Sequence, residues 1–129
     1  MAIDLNNLLA NALLDRYDTE FPAGSILEIR SGALQGAEVA DVGTVLWSLA
    51  LPVAPWTAAA TGAKTKNGSW SANAIATGTA GHYRLRNVGD TRREEGTVTA
   101  AGGGGDAIID NVAIVNGQPV TVNTFTRTL

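Results

Sequence analysis

The sequence predicts a mainly-β protein, a β-sandwich of jelly-roll type with a short N-terminal amphipathic helix. Three observations predict it. About seven to nine short runs rich in Val, Ile and Thr are separated by turn residues at intervals of roughly 8–12 positions. At Gly24 the apolar period changes from three-and-four spacing to alternation. From Gly96 onward the chain alternates strand-like runs with glycine and Asn-Gly punctuation, and that stretch holds no reactive constellation. The organisation is a helical arm over 1–23 followed by one β-sandwich domain over 24–129.

Ile3 to Asp18 reads as a helix, because Leu5, Leu8, Leu9, Ala12 and Leu13 form one apolar stripe. Asp4 is the expected N-cap, and Pro22 with Gly24 ends the segment. The stripe either packs on its own domain or docks on a neighbouring subunit. Ser25 to Arg30 alternates as a half-buried strand, with Leu27 and Ile29 on one face. Ser31 to Gly43 is small and acidic, a surface loop. Thr44 to Leu51 is the next strand, and Pro52 and Pro55 end it because neither can donate to a ladder.

Trp56 to Ala63 reads as a short extended segment. Asn67-Gly68 predicts a type I′ hairpin turn. Ser69 to Thr77 follows, with Trp70, Ala72, Ala74 and Ala76 on one face. Gly81 to Val88 alternates most clearly, Tyr83 and Leu85 opposing His82, Arg84 and Arg86. Gly89-Asp90 turns the chain into a strand over Thr91 to Ala100. The four glycines at 102–105 form a loop. Short strands over Ala107–Ile109 and Val112–Val115 precede a second hairpin at Asn116-Gly117. In the last strand Val122 and Phe125 share a face only if a bulge lies near Asn123.

At 129 residues the chain can bury a core without staples, and it has no cysteine for a disulfide or a thiolate centre. Net charge is −3 and the basic residues are scattered, so nucleic acid is not an expected partner. No apolar run approaches the roughly 20 residues of a membrane span, and no membrane partner is expected. Met1-Ala2-Ile3-Asp4 lacks a basic leader, so synthesis in the cytoplasm is expected. Charged residues make up 16% against about 25% in typical domains, a deficit suited to a chain that lives in an assembly.

No enzyme is expected. His82, the single histidine, lies on a polar strand face and reads as exposed. Adjacent Glu94 and Glu95 point to opposite faces, so they do not make a carboxylate pair. Asp106 and Asp110 read as solvated strand ends, and the glycine run lacks the Lys-Ser/Thr of a phosphate loop. No cofactor or metal is therefore expected. Trp47 and Trp70 read as core, Trp56 as the exposed tryptophan. Arg84, Arg86, Arg92 and Arg93 line a hairpin edge facing acids such as Glu94 and Glu95.

Three stretches carry a family likeness. They are Gly24-Ser25-Ile26-Leu27-Glu28-Ile29-Arg30-Ser31-Gly32, the Gly-x-Tyr-x-Leu hairpin starting at Gly81, and the ending from Gly96-Thr97-Val98 through Asp106, Asp110-Asn111 and Gly117-Gln118-Pro119 to Phe125-Thr126. Together they resemble small virion structural proteins of tailed bacteriophages, over about residues 24–128. The Arg92-Arg93-Glu94-Glu95 cluster and the region 52–63 depart from that pattern. The resemblance implies a non-enzymatic capsid decoration, or cement, protein on the virion exterior, made in the host cytoplasm. Its implied partner is the major capsid protein, with assembly as a homo-oligomer, dimer or trimer. The interface candidates are Leu5, Leu9 and Leu13 of the helix, Pro55 and Trp56 of the proline loop, and Arg84 and Arg86 of the hairpin edge. The alternative is a carbohydrate- or receptor-binding module of a phage tail fibre or neck, stacking sugars on tryptophan.

Overall fold

A computed structural model describes residues 4–129. The chain is mainly β, with a short helical N-terminus and one sheet curled into a half-barrel. Helices α1 (Asn7–Leu14) and α2 (Tyr17–Glu20) precede nine strands. These are β1 (Ile26–Ser31), β2 (Val45–Ala50), β3 (Ala63–Thr65), β4 (Trp70–Asn73), β5 (Gly78–Arg86), β6 (Arg93–Ala100), β7 (Ala107–Ile109), β8 (Ala113–Ile114) and β9 (Pro119–Thr128). The order across the sheet is β2-β1-β5-β6-β7-β9-β3, with β4 also on β9 and β8 on β5. Every pairing is antiparallel except β6 with β7. That parallel step needs a return connection, which the glycine run at 102–105 makes in a few residues.

The curl brings β2 back against β4 and β9. The Trp47 indole N–H on β2 donates to Ala72 O (3.0 Å) on β4 and to Val120 O (3.2 Å) on β9. The Ile75 N–H donates to Leu46 O at 2.9 Å. The core fills the space between. Trp56, Trp70, Phe125 and Tyr83 form a chain of rings with successive centroids 4.9–5.3 Å apart, in tilted or edge-on contacts favoured by the ring quadrupole. Leu27, Ile29, Leu46, Leu85, Ile109 and Val122 pack around them.

The bulge expected near Asn123 is present. Ile108 pairs with Thr124 and Ile109 with Val122, so Asn123 is skipped and both Val122 and Phe125 are fully buried. The two Asn-Gly hairpins are corrected. β3 and β4 do not pair with each other; they lie end to end along β9, opposite 126–128 and 119–122. Asn67-Gly68 is the jog between them, Gly68 supplying φ +77°. Asn116-Gly117 does turn, with the Gln118 N–H donating to Val115 O at 3.0 Å, but β8 leaves to pair with β5. In both cases a distant strand, β9 for β3 and β4 and β5 for β8, replaces the local partner. The Gly89-Asp90 hairpin between β5 and β6 forms as expected.

The helix is shorter than its pattern. Asn6, not Asp4, is the N-cap, its Oδ1 accepting from the Leu9 N–H at 3.0 Å. Ile3 lies outside the described residues. The buried face is Ala10 and Leu14, and polar contacts anchor it. Asn11 Oδ1 accepts from the Gly62 N–H at 2.9 Å. Lys64 of β3, fully buried, donates to Asp15 (2.8 Å), Asp18 (3.2 Å) and Thr57 O (2.8 Å). The Lys64 ammonium also holds the half-exposed Asp15 carboxyl below the usual carboxylate range. Lys64→Met keeps the stem and removes the cation, so it should loosen the arm by about 1.5–3 kcal/mol. Amide hydrogen exchange over residues 7–20 should quicken at least tenfold while β5 stays protected; equal exchange in both proteins would refute the anchor.

Candidate functional site

Leu8 is 82% exposed, Leu9 48% and Leu13 50%, and Ala12 is also exposed. The apolar stripe of α1 therefore points away from the domain. Leu5 is half-buried. Sequence reasoning found the stripe but not its direction, because Ala10 and Leu14 with their asparagine neighbours carry the packing instead.

Beside this face a cleft of about 320 Å³ opens between the helices and the start of β6, lined by Leu13, Tyr17, Phe21, Arg16, Arg92 and Arg93. Glu20 at its edge accepts from Arg16 (3.1 Å) and from Arg92 (2.6 Å). Arg93 turns to Asp90 at 2.8 Å, which holds that carboxyl below its ordinary range. Behind the cleft sits Glu94. Its carboxylate accepts from the hydroxyls of Tyr17 and Tyr83 and from Nε and Nη2 of Arg127. Burial pushes the Glu94 carboxyl up to about 7 and raises the Tyr17 phenol, while the Tyr17 hydroxyl pulls the carboxyl down. The forked contact with Arg127 acts in the same direction as Tyr17. Four donors occupy the four acceptor positions of this carboxylate, and none remains for a substrate.

The outer face of the sheet carries a second charged cluster, covered by the 32–43 loop. Glu28, Arg84 and Glu95 lie in one row across β1, β5 and β6. Arg84 pairs with Glu95 and Asp41 and donates to Val39 O at 2.8 Å; Arg30 bridges Glu28 and Asp41 at 3.1 Å each; Arg86 reaches Glu28 at 2.7 Å. Three arginines thus meet three carboxylates. Gln35 and Gly36 N–H groups of the loop donate to Glu95 at 3.3 and 3.2 Å. The loop approaches so closely at Gly81 that a Cβ there would stand 2.1 Å from Gly32 O.

Burial raises the Glu95 carboxyl, but Arg84 and the two loop N–H groups outweigh it and hold it below the usual range. Its folded pKa thus lies below the unfolded value of about 4.3. The stabilisation is present above that value and is lost as pH falls through the folded pKa. Protection of the Gln35 and Gly36 amides, taken relative to their intrinsic exchange rate at each pH, should fall below about pH 4.3 and stay flat through the neutral range. A flat profile into strong acid would remove the loop–Glu95 contact as a determinant.

Several site expectations are corrected by this geometry. Trp56 is 6% exposed, its indole N–H donating to Phe21 O at 2.8 Å, and Pro55 is buried beside it. Arg84 is 2% exposed and closed in by its partners, so it offers no edge to a neighbour. Arg86 is partly exposed but engaged by Glu28. His82 is fully buried, with Nδ1 2.8 Å from Gly32 O, because the loop folds over β5. Trp47 and Trp70 are core as expected, and Glu94 and Glu95 do face opposite sides. Asp106 caps Thr97, and Asp110 accepts from Asn123 at 2.6 Å. Among the described residues no His, Asp and Glu groups converge as metal ligands, and no helix is long and apolar enough to cross a membrane.

No family model, no curated protein and no solved structure matches this chain.

Proposed function

We propose that this chain is a non-enzymatic virion structural protein of a tailed bacteriophage, a capsid decoration protein that bridges major capsid subunits. The observation that carries the reading is the outward leucine face of α1. Three leucines held in water on a helix anchored to its domain carry a free-energy cost that covering them would relieve. Their site is mechanical in character: a docking ridge on a ring-packed core, beside carboxylates already saturated by their own donors. The likeness of the β segments to phage virion proteins supplies the setting. The sugar-binding alternative loses its main support, since all three tryptophans are buried and offer no stacking face.

The test is copy number. Quantitative mass spectrometry of purified virions should give this chain a simple ratio to the major capsid protein. A handful of copies would move it to tail or neck, and absence would refute the proposal. A Leu8→Ser/Leu9→Ser variant should keep its melting temperature within about 2 °C yet fall at least tenfold in binding to undecorated shells. Unchanged binding would clear the leucine face of the role.

A further inference from the structure

We infer that the cleft between the helices and β6 docks an acidic segment of a partner protein, an apolar side chain seated on Tyr17 and Phe21 and its flanking carboxylates on Arg16 and Arg92. The partner's identity as a capsid subunit rests on the reading above; the chemistry of the segment does not.

Charge complementarity argues for it. The chain carries net −3, yet the mouth of this cleft is cationic. Arg16 and Arg92 share the single carboxylate of Glu20, and their side chains remain 68% and 58% exposed. The other acid of the lining, Glu94, is already committed to Arg127 and two tyrosines. Each guanidinium offers five donors in a planar fork. Arg16 directs one at Glu20, whereas Arg92 directs one at Glu20 and one at Thr91 O. The spare forks suit a carboxylate approaching from solvent, and the local inversion of field would steer an acidic chain to it.

Size argues for a segment rather than a second copy of this chain. A cleft of about 320 Å³ admits only one or two side chains, as a protruding segment presents them, and not the broad face of a folded subunit. Leu13 belongs both to the cleft wall and to the exposed leucine face, so a segment seated in the cleft would run on over Leu9.

The experiment uses the full chain, isotopically labelled, with two synthetic peptides of equal apolar spacing. One carries Asp and Glu at the flanks, the other Lys. The acidic peptide at millimolar concentration should shift the backbone resonances of Leu13, Tyr17, Arg92 and Arg93, and salt should weaken it. The lysine peptide should leave them in place. Arg16→Glu/Arg92→Glu should weaken the acidic peptide at least tenfold. Arg16→Gln/Arg92→Gln, which spares Glu20 the added repulsion, should weaken it several-fold at an unchanged melting temperature. Equal shifts from both peptides, or none from either, would overturn the inference, as would self-association through this face on sedimentation. Undecorated shells provide the separate arm. If shells bind wild type and both variants alike, the cleft is not the dock and decoration stands; if shells bind nothing while the acidic peptide discriminates, decoration falls and the cleft stands.

Discussion

Trp47→Ala is expected to cost about 3–5 kcal/mol, the range for truncating a fully buried aromatic. Its indole is completely enclosed, so the lost ring leaves a cavity that its rigid neighbours cannot fill. The ring does more than fill space. Its N–H is shared between Ala72 O and Val120 O, from the two strands that face β2 across the mouth of the half-barrel. Removing it takes away a contact that joins the first and last parts of the sheet path. Urea unfolding should show a midpoint far below wild type, and exchange of the Ile75 amide, which donates to Leu46 O across the same seam, should rise first. Trp47→Phe separates the two contributions: it restores most of the volume and none of the hydrogen bonding. A Trp47→Ala loss under about 1 kcal/mol would mean that the seam is not held by this residue.

Arg84→Met comes next, at about 3–5 kcal/mol, for a different physical reason. Glu95 is 2% exposed, as is Arg84, and removing the guanidinium leaves a buried carboxylate whose main cationic partner is gone. The loop N–H donors at Gln35 and Gly36 remain, but they cannot neutralise a charge. Arg84→Met/Glu95→Met should therefore recover a large part of the loss, since paired apolar replacements avoid the desolvated ion. Equilibrium denaturation of the two singles and the double gives the coupling directly. If the double variant is as unstable as the sum of the singles, the network is not coupled as the distances imply. Asp41, 43% exposed, can rehydrate and should matter less.

These two residues show how unevenly the chain reads from sequence. Trp47 was legible as core because Val45, Trp47 and Leu49 alternate within one run. Arg84 alternates equally clearly with Tyr83 and Leu85, and its pairing with Glu95 was legible at the hairpin edge, but its burial was not. Alternation reports two faces; it does not report what covers each one. Here the 32–43 loop covers the second face, and nothing in that loop's own small, acidic composition specifies the strands on which it lies. His82 went the same way.

For the N-terminal helix the sequence left two alternatives, and the structure excludes packing of the leucine stripe on its own domain. Its leucines formed the most apolar stripe in the sequence, but burial went to Ala10 and Leu14, where Asn11 and Lys64 tie the helix to Gly62 and β3. Which face of a short helix is covered is set by those long-range polar contacts.

Local grammar was legible in the chain alone: the switch from helix to strand at Gly24, the Gly89-Asp90 hairpin, the core placement of Trp47 and Trp70, and the bulge at Asn123. Each rests on neighbours within a few positions, where backbone sterics and side-chain period act directly. The choice of partners came only with folding. β9 paired with β3, β4 and β7 in place of two local hairpins, the loop closed over Arg84 and His82, and α1 turned its leucines outward. Those outcomes depend on which distant edges and charges compete best for one another, and residues far apart in the chain enter that competition only once it has folded.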